Sequence, residues 1–485
     1  MYMLKNLKLF IIIVLMGTSH LIFSTESTYE VEADVIIVGA GIAGLSTAYR
    51  LKKEGKTFVI LEMSSHVGGR IRTASYTEKV SAEVGLEEFW EDNPTLEIFK
   101  ELKIPLEKSA SSFSSLIING KMRPFTQETN MQFLNSFLTA KEFKDYKKWD
   151  KDTSELYLKI RANPKEKTVA FLKDISFSDW VKKKNNLPKN VQELIRIESE
   201  PEYGTSWDSI SAMDGIAEWQ IFSGEGSSSF HVVGGNHKAA LVMADYLGHE
   251  HLIVNRQVTN IKSLDNGVEV IATDPDFKQH AYHAKYVVTT APLFRLNEIQ
   301  FEPALSSERG EAIQTQTWGS YFTAHLILDA KASHYWSSKG ESILPIMSDG
   351  PLGVIYEGHN DIDPKNQKYT MLNLLVNGES AETFNARTGT MNDVRTTLLK
   401  NFEKLWPDIG KHIQKIVFYR YHPRAIASWP VGRSRFDDLS ESLRRPQGRV
   451  YFGGDFTEST HSDGAAISAI RISKDIVSRE EKTKK

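Results

Sequence analysis

The stretch DVIIVGAGIAGLSTAYRLKKEGKTFVILEMSSHVGGRIRT, residues 34–73, decides the fold. After Asp34, residues 35–38 are apolar and β-branched, the composition of a strand buried on both faces of a parallel sheet. A glycine turn follows at once through Gly39, Ala40, Gly41, Ile42, Ala43 and Gly44. Ile42, Leu45, Ala48, Tyr49 and Lys52 then recur at helical spacing up to Gly55, a C-terminal stop signal. The spacing predicts a second strand over 57–61, ending on Glu62.

Each piece has a physical role in holding a dinucleotide. Gly39 permits the tight turn, Gly41 lets backbone approach a pyrophosphate, and Gly44 allows close helix–strand contact. The helix N-terminus, with Ile42 and Ala43 in its first turn, then faces the phosphates. Glu62 stands 18 positions after Gly44, near the separation of about 20 at which a carboxylate meets ribose hydroxyls. Strand, turn, helix, strand and acid occur in order, which a chance glycine triplet would not supply.

Residues 67–73 (VGGRIRT) narrow the nucleotide to FAD. A flavin dinucleotide runs past the pyrophosphate into a second domain, so a second glycine pair, Gly68 and Gly69, and a cation, Arg70, fit beside its phosphates. The plainer alternative is an exposed basic turn.

Residues 34–73 resemble the flavin-containing amine oxidoreductase family, which includes monoamine, polyamine and L-amino-acid oxidases. Glu83-Val84-Gly85 with Phe89-Trp90 is similar to that family's acid–x–glycine segment. Residues 231–237 (HVVGGNH) and 254–261 (VNRQVTNI) resemble its second FAD block, and Val258 matches the valine whose backbone meets adenine. Residues 286–290 leading into Ala291-Pro292 fit as well. So does VYFGGD at 450–455, where Gly454 and Asp455 match positions at the ribityl chain or pyrophosphate. Gly464-Ala465-Ala466 resembles the final turn and helix, whose N-terminal amides the family sets near the flavin pyrimidine.

The resemblance implies an α/β fold: a discontinuous Rossmann-like FAD-binding domain over 31–90, 226–296 and 449–478. An α+β substrate domain then comes from 91–225, a helical insertion, and 297–448, a mixed sheet. A length of 485 residues agrees with more than one domain.

The resemblance also implies the chemistry: an FAD-dependent oxidase moving a hydride equivalent from an amine or amino-acid C–N bond to flavin, then to O2 to give H2O2. One departure stands out. Amine oxidases of this family keep a lysine four residues past a glycine, and after Gly319 that position holds Thr323, or His325 with the register slipped by two. Counting back from Gly464 and from Val450 puts the family's aromatic-cage positions at His461 and Trp429, a pair that could flank a cationic group. The plainer reading makes Trp429 a core residue and His461 a loop hydrogen-bonder. Arg424, Arg433 and Arg435 are candidates for a substrate carboxylate, or else for surface ion pairs. Residues 421–436 are similar to the pre-flavin segment of bacterial amine-oxidase relatives and to protoporphyrinogen-oxidase-like members. With the missing lysine, this keeps a protoporphyrinogen-oxidase or desaturase-like dehydrogenase of larger substrates as the alternative. A non-catalytic flavin-fold protein of the Rab-escort type is disfavoured by the intact motifs.

Composition supports a small-molecule partner. The 59 basic and 62 acidic residues nearly balance, so no nucleic acid is expected. Lys5 and Lys8, an apolar run over 9–16 and small residues after it have the layout of a signal peptide over 1–27, too short for the roughly 20 apolar residues of a membrane span. Export to a periplasm or secretion is therefore expected, with an uncleaved N-terminal anchor as the alternative and no integral membrane domain. The absence of cysteine excludes disulfides, thiolate metal sites and a cysteinyl flavin link, and suits a bacterial periplasm. No metal site is expected, since the 14 histidines are scattered, with His280 and His283 a close pair near an exposed turn. The oligomeric state is left open, a homo-oligomer included.

Overall fold

The computed structural model describes residues 29–483 except 78, 109–113, 127–128, 223–227, 339–340, 361–365, 387–388 and 421. The signal-peptide segment 1–27 lies outside the described residues.

Two large sheets organise the chain. In the first, the strand Tyr29–Val38 runs parallel between Phe58–Leu61 and Gln279–Thr289. Val35, Ile36 and Ile37 are fully buried, as a strand covered on both faces requires. Leu252–Ile253 extends this sheet beyond Phe58–Leu61, and Val450–Phe452 joins the far end of Gln279–Thr289. The near end of that long strand pairs antiparallel with Gly267–Thr273, followed by Gln257–Leu264 and Gln300–Glu302. Strands from the beginning, middle and end of the chain thus share one sheet, and Gln300–Glu302 carries it past residue 296.

The second sheet has seven strands in the order Ile413–Tyr419, Tyr321–Asp329, Tyr369–Asn377, Val354–Glu357, Ile346–Ser348, Ser115–Ile118, Lys121–Arg123. Its strand Tyr321–Asp329, second from one edge, alternates by period two. Phe322, Ala324, Leu326 and Leu328 pack with Leu398 and Phe402 of the helix Met391–Leu405. The other face turns Thr323 and His325 onto the backbone of Glu83 and Val84.

Helices Ala140–Ala162, Lys189–Tyr203 and Ala212–Phe222 form a separate core around Tyr146, Trp149 and Trp219. The periodic aromatics Phe133, Phe137, Phe143 and Tyr146 straddle two helices, because Thr139 caps a new one with a reciprocal Thr139–Glu142 box. Lys189–Tyr203 ends on Gly204 in the left-handed conformation. A Cβ on Gly204 would come within 3.2 Å of the Gly319 Cα, and one on Gly319 within 2.1 Å of the Tyr203 carbonyl oxygen. Two glycines therefore let this helix end press against the start of the strand bearing Thr323.

Among the described residues no helix is long and apolar enough to cross a membrane, and no group of three or more His, Asp or Glu could hold a metal ion. His280 pairs with Asp274 and His283 with Glu269.

Candidate active site

The nucleotide cradle forms where the strand Tyr29–Val38 turns into the helix Ile42–Lys53. Gly39 sits at φ +102°, and a Cβ on Gly44 would fall 2.0 Å from the Gly39 carbonyl oxygen, so both positions exclude side chains. Gly41 differs: a Cβ there would meet nothing nearer than the Gly69 Cα at 4.0 Å. Gly68 donates its N–H to the Ala40 carbonyl at 2.8 Å, setting the second glycine pair against the first. The helix has no side-chain cap and no acid in its first turn, so the amides of Ile42, Ala43 and Gly44 are left to an anion in the open space before Gly41.

Glu62 is fixed at the end of its strand. One carboxylate oxygen accepts from the Ala40 N–H at 2.7 Å, the other from the Ser64 N–H and hydroxyl at 2.8 and 2.7 Å. Each oxygen has further lone-pair capacity for a ribose hydroxyl. The Arg256 N–H donates to the Glu62 carbonyl at 2.8 Å, which brings the buried Val258 to the same corner.

Arg70 and Asp455 meet as a bidentate ion pair, both bonds at 2.6 Å. Arg70 lies deep in the molecule, yet 38% of its side chain is open, so it faces an internal space. Gly454, at φ +132°, donates its N–H to the Ser468 hydroxyl at 2.9 Å. This ties the turn before Asp455 to the helix Ser462–Thr483, on whose first turns Ala465 and Ala466 are buried. Bare glycine backbone, an uncapped helix N-terminus and an inward cation together suit a diphosphate, so these residues fit FAD.

On the substrate side, the Thr323 hydroxyl donates to the Val84 carbonyl at 3.0 Å. His325 bonds the Glu83 carbonyl through Nε2 at 2.8 Å and the Tyr76 hydroxyl through Nδ1 at 2.7 Å. Burial lowers its pKa to about 4 against the favourable Glu83 bond, so it is neutral, with Nε2 as donor and Nδ1 as acceptor. Thr323 and His325 thus both hold the acid–x–glycine segment in place.

The structure does not bring Trp429 and His461 together as facing plates. Trp429 is fully buried among Ala427, Leu443, Val450 and Phe456, with its indole N–H on the Ser440 hydroxyl at 3.0 Å. The Arg435 guanidinium lies over its ring at 4.8 Å, leaving no face for a substrate. The cage position belongs to a core residue because the chain folds Ser440 and Arg435 back over the indole. His461 does reach an interior space, keeping 18% of its side-chain surface open. Burial, then Arg435 and Arg70, lower its pKa to about 3.

Two of the three candidate arginines are already paired with carboxylates of the chain itself. Arg433 pairs with Asp437 at 2.7 Å, and Arg435 is buried between Asp214 and Glu218. Arg424 is exposed and lies over the Phe294 ring.

Sequence reasoning missed the acids that gather here: Glu87, Glu88 and Glu202, with Tyr356 beside them. Burial, then Glu83 and Glu88, push Glu87 well above the usual carboxylate range. Burial, then Glu218 and Glu88, raise Glu202 to about 8. The adjacency of Glu87 and Glu88 to Gly85 was an available signal; Glu202 carried none.

Comparison with known proteins agrees with this geometry. The model of the family described as flavin containing amine oxidoreductase matches residues 42–477. A probable flavin-containing monoamine oxidase A of Dictyostelium discoideum is 24% identical, covering 91% of this chain and 97% of that protein. Polyamine oxidase 1 of Zea mays is 23% identical over 90% of this chain and 88% of its own. An L-amino-acid oxidase of Vipera ammodytes ammodytes is 22% identical over 91% and 92%. Among solved structures, putrescine oxidase bound to putrescine superposes with a TM-score of 0.78 at 19% identity, covering 92% of this chain and 99% of that one. Cyclohexylamine oxidase from Brevibacterium oxydans also gives 0.78, at 18% identity over 93% and 99%. The chain belongs to the flavin-containing amine oxidoreductase family, whose cofactor is FAD.

Proposed function

We propose that this chain is an exported oxidase of small amines that bear a second cationic group. It would take a hydride equivalent from the carbon beside the reacting nitrogen, pass two electrons to O2, and release H2O2 and an imine. Export rests on the charge and apolar pattern of residues 1–27.

The cluster of Glu87, Glu88 and Glu202 carries the substrate reading. Carboxylates crowded in a buried space repel one another, and a cationic guest relieves both that repulsion and the burial cost. An α-amino acid would bring a further carboxylate into this space, while Arg433 and Arg435 are paired with Asp437, Asp214 and Glu218 and Arg424 lies on the exposed surface over Phe294. The names polyamine oxidase and putrescine oxidase among the relatives agree with a polycationic substrate.

FAD supplies the hydride acceptor when bound. The chain's own residues bind, orient and exclude water. Thr323 is buried and spends its proton on Val84, so its hydroxyl has only lone pairs left for a water and cannot replace a lysine cation. That favours slower turnover than a lysine-bearing site gives, and it sustains the second reading, a protoporphyrinogen-oxidase-like dehydrogenase.

Anaerobic reduction of the bound flavin separates these readings, with diamines, monoamines, L-amino acids and protoporphyrinogen as reductants. Bleaching by diamines at the lowest concentration, with H2O2 formed on readmitting air, is the expected result. Bleaching by protoporphyrinogen alone would transfer the assignment to the dehydrogenase.

A further inference from the structure

Glu202 lies in the last turn of the helix Lys189–Tyr203, and the contact between Gly204 and Gly319 holds it beside the strand that carries Thr323. Its carboxylate lies deep in the molecule but keeps 15% of its surface open, so it borders an internal space. One of its oxygens is 3.5 Å from the His461 Nε2.

The hydrogen-bond network fixes the state of His461. The Thr460 hydroxyl has one proton and donates it to the Glu218 carboxylate, at 2.9 Å from both oxygens. Thr460 can therefore only accept from His461 Nδ1, 2.6 Å away. Nδ1 carries the imidazole proton, and Nε2 presents its lone pair toward Glu202. Glu218 is itself anchored by Arg435, which Asp214 also holds. A chain of buried groups thus turns a hydrogen-bond acceptor toward Glu202.

An aliphatic amine enters as its ammonium ion, because its pKa resembles the ~10.4 of lysine. An ammonium has no nitrogen lone pair to assist departure of hydride from the neighbouring carbon, so one proton must leave first. We propose that Glu202 is the group that takes this proton, and that His461 Nε2 accepts the resulting carboxyl O–H and holds it away from the amine. The N–H bond of the ammonium breaks, an O–H bond forms on Glu202, and the electron pair stays on nitrogen. A cation and an anion become two neutral groups, a change that a buried site favours.

The groups facing Glu202 support this assignment. Glu218, Glu88, Tyr321 and Tyr356 surround it, none of them a cation, and His461 is neutral. Arg435 is occupied by its two carboxylates. Burial and the neighbouring acids raise Glu202 to about 8, which suits a base that must both gain and lose a proton near neutral pH.

The inference rests on the amine-oxidase reading, and one experiment separates their failures. Flavin reduction is followed anaerobically across pH on FAD-loaded protein with putrescine as the probe, for wild type, Glu202→Gln and Glu202→Asp. In the wild type, the rate at limiting amine should rise through about pH 8. Glu202→Gln should lose that limb, depend instead on the free neutral amine with a midpoint near ~10, and fall on the order of 100-fold at neutral pH. Glu202→Asp should restore part of the limb. A second measurement needs no variant: with a pH indicator in weak buffer, wild type should release about one proton per amine bound below pH 8 and none well above it. An unchanged pH profile in Glu202→Gln, or proton release that ignores pH, overturns the role of Glu202 while amine oxidation stands. Failure of every amine to reduce wild-type flavin at any pH overturns both.

Discussion

Arg70 and Asp455 lie 385 positions apart in sequence and join through two hydrogen bonds of 2.6 Å. The pair links the loop after the second strand to the turn after Val450–Phe452, and it sits where the cofactor's charge must be accommodated. Arg70→Ala would leave a buried carboxylate without its cation beside that charge. A charge-assisted bond contributes about 1.5–3 kcal/mol, so FAD affinity should fall roughly 10- to 100-fold. Titration of FAD-free protein by quenching of flavin fluorescence measures this directly, and unchanged affinity would remove Arg70 from the cradle.

Gly41 offers a cleaner test of the cradle because its backbone is extended, with φ −75°, and tolerates a side chain. Its Cβ would project into open space. Gly41→Val should therefore fold with a far-ultraviolet spectrum like the wild type and yet bind FAD at least about tenfold more weakly, since the new methyls occupy the pyrophosphate volume. A yellow, fully loaded Val variant would place the phosphates elsewhere.

Trp429 sits in the core under Arg435, so its loss is a packing defect. Trp429→Ala should cost about 3–5 kcal/mol of stability, as large aromatic truncations do. Thermal denaturation reads the loss, while Trp429→Phe should recover most of it. Substrate KM in the Phe variant should match wild type. A large KM change there, with stability kept, would return the residue to the pocket.

Glu198 is buried next to Asp150, and burial, then Asp150, raises its pKa to about 8. A carboxyl whose folded pKa exceeds its unfolded value stabilises the fold at low pH and loses that contribution as pH rises through the folded value. From pH 4.5 to about 8 the unfolded chain releases a proton that the folded chain keeps, so stability declines over that window. Glu198→Gln cannot ionise and should be spared this decline. Its melting temperature should exceed the wild type's by a few degrees, about what 1–2 kcal/mol gives, at pH 8.5 and not at pH 4.5. Equal gains at both pH values would point to packing rather than ionisation.

The cofactor half of the site was legible because its information is local. Residues 34–73 carry strand, turn, helix, strand and acid in one run, and each step is dictated by backbone geometry. The substrate half was not. Glu87 and Glu88 come from one loop, Glu202 from a helix and Tyr356 from a strand, and only the packing of these three segments assembles them. Nothing local in the sequence marks Glu200 and Glu202 as interior groups; the packing of Trp207 and Tyr321 around them does. Trp429 shows the converse. Counting from a strand gives a position along the chain, but not which way a loop turns the ring.

The first sheet is closed by Val450–Phe452 on Gln279–Thr289, and the carboxylate that meets Arg70 follows three residues later. A ribosome has therefore made nearly the whole polypeptide before the cradle has its last wall. Early strands and glycine turns can form, but a tightly held cofactor must wait for the C-terminus. Capture of FAD is in this sense a quality check on completed synthesis: a chain truncated before Val450 has neither the strand nor the acid with which to hold it.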